Sequence, residues 1–544
     1  MRTHYEKMIK DNDHRVKKSL RIQNMDGQSE YCGGFPDADG LFDARHTLYR
    51  VKSMTAAYCN EKSAYFRSGL LAERILAGLS FAERNQHEDG LFDLIKCNFH
   101  SAPDTAFSMK ELLPCLYYLR GRQRDESLDR IYEKMYGLTR KAADGLLCGG
   151  FHTPNHRWVI ASTLMVCAGF FQKPEYAQAA EVYLAEGIDC NEDGEYAERS
   201  AGIYNCVNNN AMIDLGTYTG KEEYFDYAVR NLYMMLTYME PDGTIFTANS
   251  TRQDNGKRSY PSGYYWEYLF LGKKREIPEF VAFANRIFEL TQENHLEAPD
   301  FLMEYMNHPD LIDFESCLVY QQKDFRKLYR ESGIARIRKG DVTYTLMKGK
   351  SNFLYFSNPS IDVALKIGGC ICEHRAFQAE TMEETKDGFR LNQVMRGWYY
   401  LPFGKPQETS DWWKMDHSKR KKKLGPDLSI EVEVHDVEDG IRVDFHLHGV
   451  KKAPFRIEAA ILGADHADGE HFCMQNLRGA QILVKDGMTR LSNEEDSLLI
   501  GPGFGTHSYL AGMFGSEGND PNCFTMYFTD YTEFERSITI RNER

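Results

Sequence analysis

Apolar side chains recur at three- and four-residue intervals between residues 44 and about 310, the spacing of helices that bury one face. Leu70, Leu71, Ile75, Leu76 and Leu79 predict a helix over 67–79. Leu112, Leu113, Leu116 and Leu119 predict another over 109–119, and 224–238 and 278–290 read the same way. The stretch 159–171 is apolar nearly all round, which predicts a buried inner helix. Beyond about residue 330 the period shortens to two. Strict alternation over 428–434 and 441–447, with Glu438-Asp439-Gly440 between them, predicts a β-hairpin. Further strands are predicted at 335–347, 352–356, 361–367, 455–461, 480–484 and 537–540.

An Asp-Gly pair punctuates the helical half at Asp39-Gly40, Asp89-Gly90, Asp144-Gly145, Asp193-Gly194 and Asp242-Gly243, separated by 50, 55, 49 and 49 residues. Two copies extend to Asp-Gly-Leu-Phe-Asp, at 39–43 and 89–93. A period near 50 marks a repeated supersecondary unit, and Asp-Gly favours tight turns. About two helices fit each interval. The expectation is an N-terminal (α/α) toroid of about five to seven helical hairpins over 1–320, its loops forming a cleft at one end. An antiparallel β-sandwich over 330–544 follows it, giving an α+β multidomain chain. The repeat is also a ruler: eleven residues after the Asp stand His100, Asn155 and Tyr204.

Length supports the division, since 544 residues exceed what one core holds. The formal net charge of −14 argues against a general nucleic-acid or membrane-surface binder, though an anionic substrate in a locally basic cleft stays open. The one dense basic block, 419–423, reads as a solvated loop. Thirteen scattered Cys suggest reduced thiols. With no apolar signal segment near Met1 and no membrane-length apolar run, a cytoplasmic location is expected. A leader removed upstream would instead place the protein outside the cell. Oligomeric state is not legible.

The densest candidate chemistry is Phe151-His-Thr-Pro-Asn-His-Arg-Trp158, which leads straight into the buried helix. Asn155 and His156 would stand near a helix N-terminus, where the dipole and free N–H groups favour an anion. Asn155 can equally be a simple cap, but Arg157 and Trp158 beside it are more than a cap needs. Tyr204 sits among polar residues, with Arg199 and Asn208 nearby; such surroundings suit a phenol that gains or loses a proton. Asn98 and His100 occupy the equivalent loop one repeat earlier. Tyr260, Tyr264 and Trp266 form an aromatic run that reads as a sugar platform or as core. In the β-region, Gly368-Gly369 leads to His374 and Arg375, either a close-approach loop or an ordinary turn. His446 and His448 share one strand face, so a structural divalent metal is conceivable there, although the spacing matches no standard zinc motif. Carboxylate pairs for glycoside hydrolysis would come from Asp93, Asp104, Glu195, Glu198 or Glu267.

A helical toroid followed by an antiparallel β-domain, with Asn155-His156 on one helix start and Tyr204 49 residues later, resembles the polysaccharide lyases. The heparinase II/III-like and alginate lyase group is the nearest in pattern. The resemblance implies β-elimination on a uronic-acid-containing glycan, glycosaminoglycan- or alginate-like, with an unsaturated uronate as product. It implies catalytic roles for Asn155, His156, Tyr204 and the β-domain His374, an anionic oligosaccharide or polysaccharide as partner, and no required cofactor. Asn155 would neutralise the substrate carboxylate, and Tyr204 and a histidine would exchange protons. A toroid glycoside hydrolase on uronate oligosaccharides, or a non-catalytic glycan-binding protein, are the alternatives.

Overall fold

The computed structural model describes residues 1–315, 318–508 and 517–543. The chain divides into two compact units: Met1–Tyr238 with Gly243–Gln321, and Met239–Asp242 with Gln322–Arg544.

The first unit is helical. Its helices are α1 (Arg2–Ile22), α2 (Ala44–Cys59), α3 (Gly69–Arg84), α4 (Ala102–Leu119), α5 (Glu126–Leu146), α6 (Pro154–Phe171), α7 (Pro174–Leu184), α8 (Tyr204–Thr219), α9 (Glu223–Thr237), α10 (Tyr265–Lys274), α11 (Pro278–Glu293) and α12 (Leu302–Asn307). The even-numbered helices from α2 to α10 pack side by side in chain order, and each packs against an odd-numbered outer partner. Helix α12 packs on α1, α2 and α4 and brings the ends together. Lys52 of α2 reaches Glu304 of α12 at 2.7 Å, and Tyr49 donates to Asp300 at 2.8 Å. Helix α6 is buried on nearly every side, including Val159, Ile160, Leu164 and Cys167, as its unbroken apolar run requires. Helix α1 was not foreshadowed by the spacing: its buried face is only Met8, Ile9, Asn12, Val16 and Ser19, two of them polar.

The Asp-Gly pairs prove not to be all alike. Residues 37–41, 87–91 and 191–195 are true turns of one design. In each, the first N–H donates to the carbonyl of the fifth residue at 2.8–3.0 Å, and the glycine N–H donates back to the first carbonyl at 3.0–3.1 Å. Asp144-Gly145, however, lies inside α5, so the expected third turn is not there. What repeats in space is a seat between a glycine and the next outer helix. A Cβ on Gly33 would meet the Ala77 carbonyl of α3 at 2.0 Å, and one on Gly90 the Lys141 carbonyl of α5 at 2.1 Å. On Gly149 it would meet the Tyr183 hydroxyl of α7 at 2.6 Å, on Gly194 the Arg230 carbonyl of α9 at 2.4 Å, and on Gly243 the Leu290 side chain of α11 at 2.6 Å. Gly145 lies against Gly90, and a Cβ on it would meet the Asp89 carbonyl at 2.5 Å. Only glycine permits such approach.

The second unit is built on two nine-stranded sheets. One runs 481–483, 524–531, 454–462, 362–371, 352–357, 342–347, 334–339, 325–329, with 374–376 paired beside 362–371. The other runs 472–475, 466–469, 489–492, 497–501, 534–542, 440–448, 428–437, 388–395, 381–384. Pairing is antiparallel, apart from 481–483 against 524–531. Alternation sets the inner face: Ile430, Val432 and Val434 stand opposite Leu447, Phe445 and Val443, all fully buried in one core with Val363 and Leu365 of the other sheet. Where 335–347 was expected as one strand, Gly340 turns it, with φ at 55°, into the hairpin 334–339 and 342–347. A separate two-stranded ribbon joins Trp398–Tyr400 to Lys422–Leu424. The basic block at 419–423 is therefore partly strand.

Candidate active site

Successive inner helices start at the residues the ruler picked. His100 precedes α4 by two residues, Asn155 is the second residue of α6, and Tyr204 is the first of α8. The ruler reaches Asn155 from a marker that is no turn, because the α5–α6 connection is short and compensates.

Asn155 is fully buried. Its backbone N–H donates to Glu198 Oε2 at 3.1 Å, and its side-chain amide donates to both carboxylate oxygens, at 3.0 and 2.8 Å, and to Thr153 Oγ1 at 2.9 Å. Glu198 also pairs with Arg252, Nε to Oε1 at 3.2 Å. Burial pushes the Glu198 carboxyl above its usual range, against the opposing pull of Asn155 and Arg252. The Glu198 carbonyl in turn accepts from the Thr251 hydroxyl at 2.9 Å. Buried Asp254 accepts from Ser200 at 2.9 Å, from the Gly202 N–H at 2.9 Å and from Ser250 at 2.5 Å. These bonds tie the loop before α8 to the loop 249–256, and they deliver two side chains to Tyr204. Gln253 donates to its phenol oxygen at 2.6 Å, and the Arg252 guanidinium lies 5.1 Å from its ring centroid.

His156 stands one residue on, against the edge of Phe107 at 6.5 Å. Burial holds its pKa down to about 4; Asp104 opposes this, while His152, Arg252 and Arg45 add to it. The imidazole is therefore neutral near pH 7. Arg45 of α2 pairs with Asp104 at 3.0 Å and covers Phe107 at 4.3 Å. The first turns of α2, α4, α6 and α8 and one loop thus surround a patch that holds a phenol, two guanidinium groups and a neutral imidazole. Arg45 and Arg252 were missed from sequence. Neither belongs to a motif, and only the loop bonds just described bring Arg252 to Tyr204.

No protein-family model matches this chain, and no curated protein matches it in sequence. Two solved structures share its architecture. A xanthan lyase from Paenibacillus superposes with a TM-score of 0.60 at 10% identity, covering 98% of this chain and 57% of that one. A chondroitin AC lyase from Streptomyces coelicolor, solved with chondroitin sulphate, gives 0.57 at 10% identity, covering 99% of this chain and 79% of that one. The chain has the fold of the toroid polysaccharide lyases. It spans little more than half the length of the xanthan lyase.

On this lyase fold the other expected residues fall in several places. Asn98 lies in the same arc and bonds Asp104 at 3.3 Å. His100 is exposed, stacked on His87 at 3.8 Å, and bonded to Asp89 at 2.6 Å, which raises its pKa. Arg157 and Trp158 turn toward the α7 side: Arg157 bonds the Tyr183 carbonyl and Trp158 bonds Asp189. Arg199 is not the cation found on Tyr204; Arg252 is. Asn208 is fully buried one turn below Tyr204, with neither amide atom bonded among the described residues. The sugar-platform reading of the aromatic run gives way to core packing. Tyr264 is buried and bonds the Ala201 carbonyl, and Trp266 packs among Phe270, Phe301, Tyr305 and His308. Tyr260 bonds Asn294 at the surface.

Of the candidate hydrolytic carboxylates, Asp104 and Glu198 lie at this site, paired with Arg45 and Arg252, and the others are committed elsewhere. Glu267 is buried on Asn209 and Asn210, Asp93 holds His87, and Glu195 accepts from Asn191. In the second unit, His374 and Arg375 form a short half-buried strand beside 362–371, with Arg375 bonded to the Cys372 carbonyl at 2.6 Å. His446, His448 and Glu535 place ligand atoms within 4.8 Å of one another on the outer sheet face, near enough to share a divalent ion and largely open to solvent.

Proposed function

We propose that this protein is a polysaccharide lyase that cleaves a uronic-acid-containing glycan by β-elimination. The observation that carries the reading is the phenol of Tyr204, held by Gln253 under the Arg252 guanidinium on a rim it shares with neutral His156. A uronate C5 proton is weakly acidic, so its removal needs the adjacent carboxylate's charge offset. In this reading Arg252, assisted by Arg45, offsets that charge. His156 takes the C5 proton; the electron pair becomes the C4–C5 double bond; the C4–O4 bond breaks, and Tyr204 protonates the departing O4. Asn155, with its amide N–H group engaged by Glu198 and Thr153, is a positioning residue. It fixes the carboxylate that orients Arg252. His374 has no assigned step.

The test is a screen of uronic-acid glycans for ultraviolet-absorbing unsaturated product. Product formation that Tyr204→Phe abolishes supports the reading. Cleavage that gives only saturated reducing ends would instead identify a hydrolase, and binding without turnover a glycan-binding protein.

A further inference from the structure

The ribbon Trp398–Tyr400/Lys422–Leu424 closes an excursion whose composition is unlike the rest of the chain. Between 398 and 424 there are seven Lys or Arg against three Asp or Glu, a local excess of four positive charges in a chain of net charge −14. Three of the five Trp lie here, with Tyr399, Tyr400 and Phe403.

The aromatic and basic side chains interleave. Arg420 stands over the rings of Tyr400, Phe403 and Trp412 at 5.0–5.3 Å, and Lys422 lies 4.2 Å above Trp398. His417 packs on Trp412 at 4.1 Å. Register puts Tyr399 opposite Lys423 and Trp398 opposite Leu424. Trp413 is 90% exposed and Leu424 81%. Two cations are neutralised locally, Lys414 by Asp411 and Lys419 by Asp416. Lys421, Lys422 and Lys423 are exposed and form no ion pair among the described residues. A bare indole beside a row of unpaired ammonium groups matches a polymer that carries both ring faces and anions.

We propose that the 398–424 excursion is a binding surface for an acidic polysaccharide, with Trp413 stacking on a sugar ring and Lys421 and Lys423 meeting its carboxylate or sulfate groups. The choice of glycan among polyanions rests on the lyase reading; the surface itself rests on the interleaving. A lipid surface fits less well, because cations cover most of the rings and only Trp413 and Leu424 project.

The experiment uses the full chain, wild type and Trp413→Ala/Lys421→Ala/Lys423→Ala, all three exposed positions. Affinity electrophoresis is run against chondroitin sulfate, heparin, alginate, xanthan, neutral dextran, polyadenylate and phosphatidylserine vesicles. The expected result is retardation of wild type by at least one acidic glycan but not by dextran, weakened at least tenfold in the variant and by added salt. In the same variant KM for polymer should rise while kcat on a short oligosaccharide stays unchanged. Equal glycan affinity in both proteins overturns the proposal, and so does the absence of glycan binding. Tighter binding to polyadenylate or to vesicles, or self-association lost in the variant with glycan affinity unchanged, also overturns it. Variant-sensitive binding without unsaturated product keeps this surface and removes the lyase reading; product with variant-insensitive binding does the reverse.

Discussion

Glu198 grips Asn155 at three points, accepting its backbone N–H and its side-chain amide on both carboxylate oxygens, within 2.8–3.1 Å. The two residues lie 43 positions apart, one at the start of α6 and the other in the loop before α8. The same carboxylate pairs with Arg252, so one group fixes a helix start and aims a cation. Replacing it leaves buried donors without acceptors, which costs about 1–3 kcal/mol for each group orphaned. Glu198→Ala should lower both the melting temperature and kcat/KM. Asn155→Ala should act less on turnover, since Arg252 keeps its partner. Equal kinetic losses in the two variants would contradict this division.

Tyr204→Phe removes only the phenol oxygen, which Gln253 holds at 2.6 Å. Turnover should fall about 10²–10⁴-fold, the usual share of a general acid or base, with the melting temperature nearly unchanged. Arg252→Ala should show a large loss that raises KM as well, because a charge clamp acts on the bound ground state too. Steady-state kinetics on whichever glycan gives unsaturated product would check both.

His4 and His156 both have pKa values lowered to about 4, chiefly by burial; His4 stacks on Phe288 at 3.8 Å. An unfolded imidazole takes its proton near about 6.5. Between these values the unfolded chain binds more protons than the folded one. Stability is therefore full above about 6.5 and falls as pH drops toward 4. Urea midpoints measured at intervals from pH 7 to pH 4 should decline, and His4→Phe/His156→Asn should flatten the decline. An unchanged slope in that double variant would refute the assignment.

The glycine seats give a fourth prediction. Gly145→Ala forces a methyl against the Asp89 carbonyl, 2.5 Å away, and should destabilise by about 1–3 kcal/mol through overpacking. Gly40 has φ at 81° but open space around it, so Gly40→Ala should cost only the left-handed penalty of about 1–2 kcal/mol. Thermal melts of the two variants should rank accordingly, with Gly145→Ala also disturbing the turn before α4.

Much of the architecture could be read from spacing, because the toroid and the sandwich differ in period and each buries one face per element. The strands 428–437 and 440–448 were legible to within a few residues, since every second side chain is core. Helix α1 was not legible, because much of its buried face is polar. The ruler found Asn155 and Tyr204 because inner helices start at similar distances from the Asp-Gly markers. It could not say where the side chains point. Trp158 and Trp266 look like site residues in sequence, yet one bonds Asp189 and the other packs with Phe301. Arg252 was invisible for the converse reason: its place depends on Thr251 and Asp254, bonds between loops about 50 residues apart in sequence.

The seats of Gly33, Gly90, Gly149, Gly194 and Gly243 each join the segment leaving one outer helix to the next outer helix. Hairpins joined only by side chains would open one at a time, as in a nearest-neighbour stack. Here main chain meets main chain at three of the five joints, so one hairpin cannot swell without lifting its neighbour. Native-state hydrogen exchange should then show the turn amides at 90 and 194 opening together with α5 and α9, as shared cooperative units rather than as frayed loops. The rim that carries Tyr204 and His156 inherits that stiffness without contributing a core of its own.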